Sequence, residues 1–186
     1  MNATVTPHAV LILAAGRSRR LGFPKQRLQV RGESLLARTV RIAASTRPAQ
    51  VLVALPAHAP DLASEVNAAL ASHVLVDDDT HGKASTLAHA APCLPRDVHR
   101  VLILCADHPA LEATHLAQLL DAAGSATSGL AATAYADAMG EPAVVPLARL
   151  QAFTPEVSGQ GLRTMLQGPD VARDHAASGD DAFALD

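Results

Sequence analysis

Hydrophobic residues alternate between two patterns along this chain. Continuous apolar runs at residues 9–14, 50–55 and 100–105 are typical of strands buried on both faces. Each run is followed by a segment whose apolar residues recur every three or four positions, which predicts helices over 34–45, 60–71 and 113–123. The alternation predicts a three-layer, Rossmann-like α/β fold: a mostly parallel central sheet with helices on both faces.

The last third of the chain is less regular. Residues 129–135 and 142–145 predict strands, and residues 147–153 and 161–166 predict short helices. We find no internal repeat and no linker long enough to separate domains. The sequence therefore predicts a single domain over residues 1–186.

Composition excludes several classes of protein. The 186 residues are 49% hydrophobic and 18% charged, which is enough apolar material for a sizeable core. A net charge of −3 and four aromatic residues without Trp argue against a nucleic-acid-binding surface. No apolar run approaches the roughly 20 residues of a membrane span, and two cysteines are too few for a disulfide framework. We expect a soluble cytoplasmic protein with no nucleic-acid or membrane partner.

A glycine-containing loop follows the first predicted strand. Small residues at 14–16 let backbone N–H groups approach a phosphate chain, and the basic residues that could offset its charge follow: Arg17, Arg19, Arg20 and Lys25. Pro24 fixes the backbone just before Lys25 and could aim its amine back at the loop. Basic residues in such a loop are equally common on solvated surfaces. Neither a G-x-G-x-x-G motif nor a P-loop is present.

A second candidate is Asp107, which follows the strand predicted at 100–105. Ligands of parallel sheets bind beyond the carboxyl ends of the strands, and a carboxylate there can hold Mg²⁺. From spacing alone a simpler role is favoured, because Asp commonly caps a helix or forms an Asp-x-Pro turn.

The segment from Leu13 to Lys25 resembles the L-A-A-G-x-S-x-R-x-G-x-P-K signature of nucleotidyltransferases that act on molybdopterin. It is most similar to the molybdenum cofactor cytidylyltransferases. Further segments also resemble the family: Gly32–Leu36 its next helix start, Ala106-Asp107-His108-Pro109 its C-D-x-P segment, and residues 77–85 its nucleotide-contacting loop.

This resemblance implies that a nucleoside monophosphate, CMP from CTP, is moved onto a phosphate of molybdopterin or molybdenum cofactor, with release of pyrophosphate. Ala15 stands where guanylyltransferases usually have glycine, which favours CTP over GTP. The resemblance implies Mg²⁺ at Asp107, and catalysis by Arg20, Lys25 and Asp107. It implies nucleotide contacts from one further set of residues: Leu13, Ala14, Ala15, Gly16, Ser18, Asp79 and Ser85.

Two departures from the family pattern concern the acceptor. Glu141 stands where many cytidylyltransferases have His before Pro142, and the segment 158–163 lacks an aspartate of the family. These departures leave two alternatives open. One is a sugar-1-phosphate or methylerythritol-phosphate nucleotidyltransferase. The other is a non-catalytic nucleotide-binding maturation factor with a molybdoenzyme partner.

Overall fold

The computed structural model describes residues 7–16, 22–77, 82–136, 138–153, 162–166 and 171–175. The strands are β1 His8–Leu13, β2 Gln29–Val30, β3 Glu33–Ser34, β4 Gln50–Pro56, β5 Ser72–Val76, β6 Arg100–Cys105, β7 Ala131–Ala134, β8 Met139–Pro146 and β9 Ala172–His175. The α-helices are α1 Leu35–Ser45, α2 Lys83–Ala90, α3 Ala113–Ser125, α4 Leu147–Gln151 and α5 Leu162–Met165. Short 3₁₀ helices occupy Lys25–Arg27, Pro60–Glu65 and Ala91–Cys93. Over these residues, no helix has the length and apolar character needed to span a bilayer.

The central sheet has seven strands in the order β5-β4-β1-β6-β8-β7-β9. Strands β5, β4, β1 and β6 are mutually parallel, and β8 is antiparallel to both of its neighbours, β6 and β7. The expectation of a mostly parallel sheet is confirmed. A separate two-stranded hairpin of β2 and β3 lies outside it.

Alternate residues of the strands pack into two separate cores, which makes the fold three-layered. Leu11 and Ile103 belong to the core that contains residues of α2, α4 and α5. Val10 and Leu102, one position away on the same strands, belong to the core that contains residues of α1 and α3. Helices therefore cover both faces of the sheet, as the continuous apolar strands predict.

The prediction of a helix over residues 60–71 is wrong beyond the first turns. A 3₁₀ helix spans Pro60–Glu65, and a turn follows in which the side chain of Asn67 accepts a hydrogen bond from the Ala69 N–H at 3.0 Å. Asn side chains compete in this way with helical backbone bonds. Leu62 and Val66 are buried, whereas Leu70 is exposed, so the apolar spacing marked buried positions without a continuous helix.

His8 gives the fold a pH dependence. Its side chain is buried at the start of β1, with Nε2 3.0 Å from Thr46 Oγ1. Burial, and then the positive charge of Arg100, lower the pKa of His8 below its usual value of 6.5. The unfolded chain thus binds a proton at a higher pH than the folded chain, and stability falls as pH drops below 6.5.

We expect His8→Asn to lose less stability than the wild type between about pH 7.5 and about pH 5.5. Urea denaturation of both proteins across this range measures the difference. In His8→Asn the dependence of the free energy of unfolding on pH is reduced rather than abolished, because the pKa of His108 is also lowered. Identical slopes for the two proteins would contradict the assignment to His8.

Candidate active site

The strand register brings three chain segments together at one edge of the sheet. Leu13 is paired with Ala54 of β4 on one side and with Cys105 of β6 on the other. Just beyond β6, the Ala106 N–H donates to the Leu13 carbonyl at 3.2 Å. The glycine loop and Asp107 therefore start from adjacent positions, at the edge where parallel sheets bind ligands.

Gln26 ties the glycine loop to the turn that carries Lys25. Its buried side-chain amide donates to the Ala14 carbonyl at 2.6 Å and to the Gly16 carbonyl at 3.3 Å. A Cβ added at Gly16 would meet none of the described residues within 4 Å. Leu13, Ala14 and Ala15 are buried, so the exposed part of the loop begins at Gly16.

We expect Gln26→Glu to destabilise the fold by about 1–3 kcal/mol, since a carboxylate cannot donate to the two carbonyls and would be buried against them. Gln29→Glu is the matched control, because Gln29 is exposed and its amide makes one long contact of 3.4 Å with the Arg27 carbonyl. Urea denaturation of both variants measures the difference. Equal losses would show that the tether contributes nothing specific.

Lys25 and Asp107 form an ion pair across 82 residues of sequence. Lys25 Nζ donates to Asp107 Oδ2 at 2.6 Å, and each side chain is about one-fifth exposed. Lys25 belongs to the 3₁₀ helix that Pro24 precedes, and Asp107 follows β6 after one residue. The loop after β1 and the segment after β6 therefore meet at one charged site, which is called the cleft below.

The other oxygen of Asp107 points to a different environment. Oδ1 is buried, has no hydrogen-bond partner among the described residues, and lies 3.8 Å from His108 Nε2. A carboxylate oxygen of this kind suits a hard divalent cation such as Mg²⁺, which prefers oxygen ligands. Asp107 thus fits the role of a metal ligand.

The reversed strand β8 brings a second carboxylate to the same edge. Its pairing with β6 runs from Arg100 opposite Pro146 to Ile103 opposite Ala143, so Glu141 comes close to the end of β6. Glu141 Oε1 lies 3.3 Å from Lys83 Nζ at the start of α2. The Glu141 backbone is held as well, because the Tyr135 hydroxyl donates to its carbonyl at 2.5 Å.

Burial raises or lowers several pKa values around this cleft. Burial, reinforced by the charge of Glu141, raises the pKa of the Cys105 thiol to about 12 and that of Tyr135 to about 12. Burial lowers the pKa of His108, although the charge of Asp107 opposes this shift. Near neutral pH the cleft thus contains a neutral thiol, a neutral phenol and a neutral imidazole beside the charged side chains.

The structure brings together some of the predicted site residues. Lys25 and Asp107 are in contact, and Ala15 and Gly16 lie on the neighbouring loop. Ser85 is buried in the first turn of α2, with Oγ 3.4 Å from His89 Nδ1. Ser18, Arg20 and Asp79, together with Arg17 and Arg19, lie outside the described residues.

Three residues of the cleft were not singled out from the sequence: Gln26, Lys83 and Tyr135. Glu141 was noted there only as a departure from the family pattern. Gln26 directly follows Lys25, but its contacts depend on how the loop folds back over 10 to 12 residues. Lys83 and Glu141 meet across 58 residues, through the reversal of β8. Nothing in the local pattern around residues 139–146 reveals that reversal.

The sequence matches the MobA-like NTP transferase domain over residues 10–177, and the chain belongs to this family. Of the strands around the cleft, β4, β6 and β8 lie wholly within the matched region, as does all but the first two residues of β1. The expected resemblance to molybdopterin-directed nucleotidyltransferases is confirmed at the level of the family.

Individual relatives agree with this assignment. The chain is 34% identical over 137 residues to the bifunctional protein GlmU of Pelotomaculum thermopropionicum; the match covers 73% of this chain and 29% of that protein. A crystal structure of a Mycobacterium tuberculosis Rv0371c homologue, from Mycobacterium sp. strain JC1, superposes with a TM-score of 0.76 at 28% identity and covers 92% and 87% of the two chains. The 4-diphosphocytidyl-2C-methyl-D-erythritol synthase of Anaerococcus prevotii shares the fold, with a TM-score of 0.71 at 12% identity over 96% and 91%.

Proposed function

We propose that this chain, as a single nucleotidyltransferase domain, transfers CMP from CTP to a phosphate of molybdopterin or molybdenum cofactor. A phosphate oxygen of the acceptor forms a bond to the α-phosphorus of CTP, and the bond to pyrophosphate breaks. The observation that carries the proposal is the 2.6 Å contact between Lys25 and Asp107, which joins the two motifs that resemble the family in one cleft.

The roles of the residues follow from their chemistry. The backbone of the loop at Ala15 and the exposed Gly16 orients the triphosphate, and Lys25 stabilises the charge that develops on departing pyrophosphate, together with Arg20. Positioning and charge stabilisation supply most of the catalysis in phosphoryl transfer, so no protein nucleophile is required.

Asp107 would hold Mg²⁺, which supplies charge neutralisation for a bound triphosphate. Lys25 neutralises one oxygen of this carboxylate and leaves the other without a partner among the described residues. When a triphosphate is bound, the same lysine can turn toward it, because a triphosphate carries more negative charge than the carboxylate that Lys25 contacts here.

A thermal-shift comparison of CTP, GTP, ATP and UTP, each with Mg²⁺, tests the choice of nucleotide. We expect CTP to stabilise the protein most, because ligands that bind only the folded state raise its stability. Stabilisation by GTP alone would overturn the proposed base.

Pyrophosphate release tests the choice of acceptor. We expect release with CTP and molybdopterin, and none with a sugar 1-phosphate or with methylerythritol phosphate. Release with one of the latter would support the alternative transferase class. Binding of CTP without release on any acceptor would support a non-catalytic role beside a molybdoenzyme.

A further inference from the structure

Three side chains with different metal-binding atoms converge where β6 ends. They are Cys105, the last residue of the strand, and Asp107 and His108 just after it. One ligand atom of each, a thiol sulfur, a carboxylate oxygen and an imidazole nitrogen, lies within 4.8 Å of the other two. Three ligands this close can reach a single ion with small side-chain movements.

Two of these side chains carry buried polar atoms without a described partner. They are Asp107 Oδ1 and His108 Nδ1; the ring nitrogen that lies 3.8 Å from Oδ1 is Nε2, and the His108 side chain is only 7% exposed. Buried polar groups in native proteins are nearly always hydrogen-bonded or bound to metal. The ion pair with Lys25 uses only Oδ2, so it does not satisfy the oxygen that faces His108.

The chemistry of the three ligands selects the kind of ion. Mg²⁺ favours oxygen ligands alone, whereas sulfur and imidazole nitrogen favour Zn²⁺ and related transition metals. Three protein ligands with a further position for water or substrate are typical of catalytic Zn²⁺ sites. We propose that Cys105, Asp107 and His108 form a site for a divalent transition-metal ion of the Zn²⁺ class.

The charges around the site permit a cation to enter. Lys25 and Lys83 contribute two positive charges, and Asp107 and Glu141 contribute two negative charges. On binding, the metal–sulfur bond replaces the S–H bond of Cys105 and one proton is released to solvent. The positive charge of Lys83 favours the thiolate that results, whereas burial and the negative charge of Glu141 oppose it, so the bond to the metal must offset both.

This proposal goes beyond the transferase activity, because the ion needs no nucleotide to bind. It shares Asp107 Oδ1 with the proposed Mg²⁺ site, so the two ions would compete for that oxygen, but Cys105 and His108 belong to this site alone. The two proposals can therefore fail separately. If CTP with Mg²⁺ does not stabilise the protein, the proposed site at Cys105, Asp107 and His108 is unaffected. If that site binds no transition metal, the proposed recognition of CTP is unaffected.

Titration of the nucleotide-free full chain with Co²⁺ tests the site. Co²⁺ is a spectroscopic substitute for Zn²⁺, and a thiolate ligand produces a cobalt–sulfur charge-transfer band in the near ultraviolet. We expect one equivalent of Co²⁺ to produce this band in the wild type. We expect the same band in Cys93→Ser, the matched control, because Cys93 is exposed and is not one of the three ligands. Cys105→Ser should abolish it.

His108→Gln is a second test of the site, which applies even if Cys105→Ser fails to fold. We expect this variant to bind Co²⁺ roughly tenfold or more weakly than the wild type. One equivalent of Zn²⁺ should remove the cobalt band, whereas a large excess of Mg²⁺ should leave most of it, as the order of metal affinities predicts. A wild type without the band, a band that survives Cys105→Ser, unchanged affinity in His108→Gln, or ready displacement by Mg²⁺ would each overturn the proposal.

Discussion

We expect Asp107→Asn to lower kcat/KM for the proposed cytidylyl transfer by roughly 10²- to 10³-fold, the scale for removal of one electrostatic contact in a transition state. The substitution keeps the size and shape of the side chain and removes its charge. It therefore weakens the proposed Mg²⁺ site and removes the carboxylate that Lys25 contacts at 2.6 Å. Steady-state rates of pyrophosphate release at saturating Mg²⁺ measure the loss.

Asp97→Asn is the matched control for this prediction. Asp97 is exposed and precedes β6, so the same chemical change is made at the opposite end of the strand. We expect its kcat/KM to equal that of the wild type. Full activity in Asp107→Asn would remove the carboxylate from the mechanism, and equal losses in both variants would point to a general effect of charge.

We expect Lys25→Met to lower kcat/KM about 30- to 900-fold. This corresponds to a loss of ~2–4 kcal/mol of transition-state stabilisation. Methionine fills much of the space of the lysine side chain but cannot neutralise departing pyrophosphate. We expect the loss mainly in kcat, because the charge of pyrophosphate increases as the bond breaks. Rates measured over a range of CTP concentrations separate kcat from KM.

Arg96→Met controls for the loss of one positive charge, since Arg96 is exposed before the start of β6, away from the cleft. We expect unchanged kinetics in this variant. An increase in KM with constant kcat in Lys25→Met would mean that Lys25 binds nucleotide without stabilising the transition state.

The parts of the fold that depend on local pattern could be predicted. The apolar runs at 50–55 and 100–105 begin where β4 and β6 begin, and the helix predicted over 34–45 is α1 with Ser34 at its N-terminal cap. The Ser34 hydroxyl accepts a hydrogen bond from the Ala37 N–H at 3.2 Å, as is common for Ser at this position. Buried strands and capped helices are encoded by neighbouring residues, so sequence alone suffices.

The parts of the fold and site that depend on contacts between distant residues could not be predicted from the sequence. The segment 77–85 resembles a loop of the family, but the structure places residues 83–85 in the first turn of α2, with Ser85 buried; its nucleotide contact stays a prediction. The Lys83–Glu141 pair depends on the direction of β8, which the run Pro142–Val145 does not encode, because an apolar strand has the same pattern in either direction. The contact between Lys25 and Asp107 likewise depends on the placement of β1 beside β6, which no local pattern encodes.

The antiparallel course of β8 has a consequence for how this enzyme family can diversify. Lys25 and Asp107 reach the cleft from parallel strands that leave the sheet there, whereas Glu141 arrives on a strand that enters the sheet from the cleft side. The carbonyl of Glu141 is held by Tyr135 and that of Pro142 by Thr133, and both supports lie outside the described part of the glycine loop. For the proposed reaction, we therefore expect changes in this strand to alter the preference for an acceptor while leaving Lys25 and Asp107 in place.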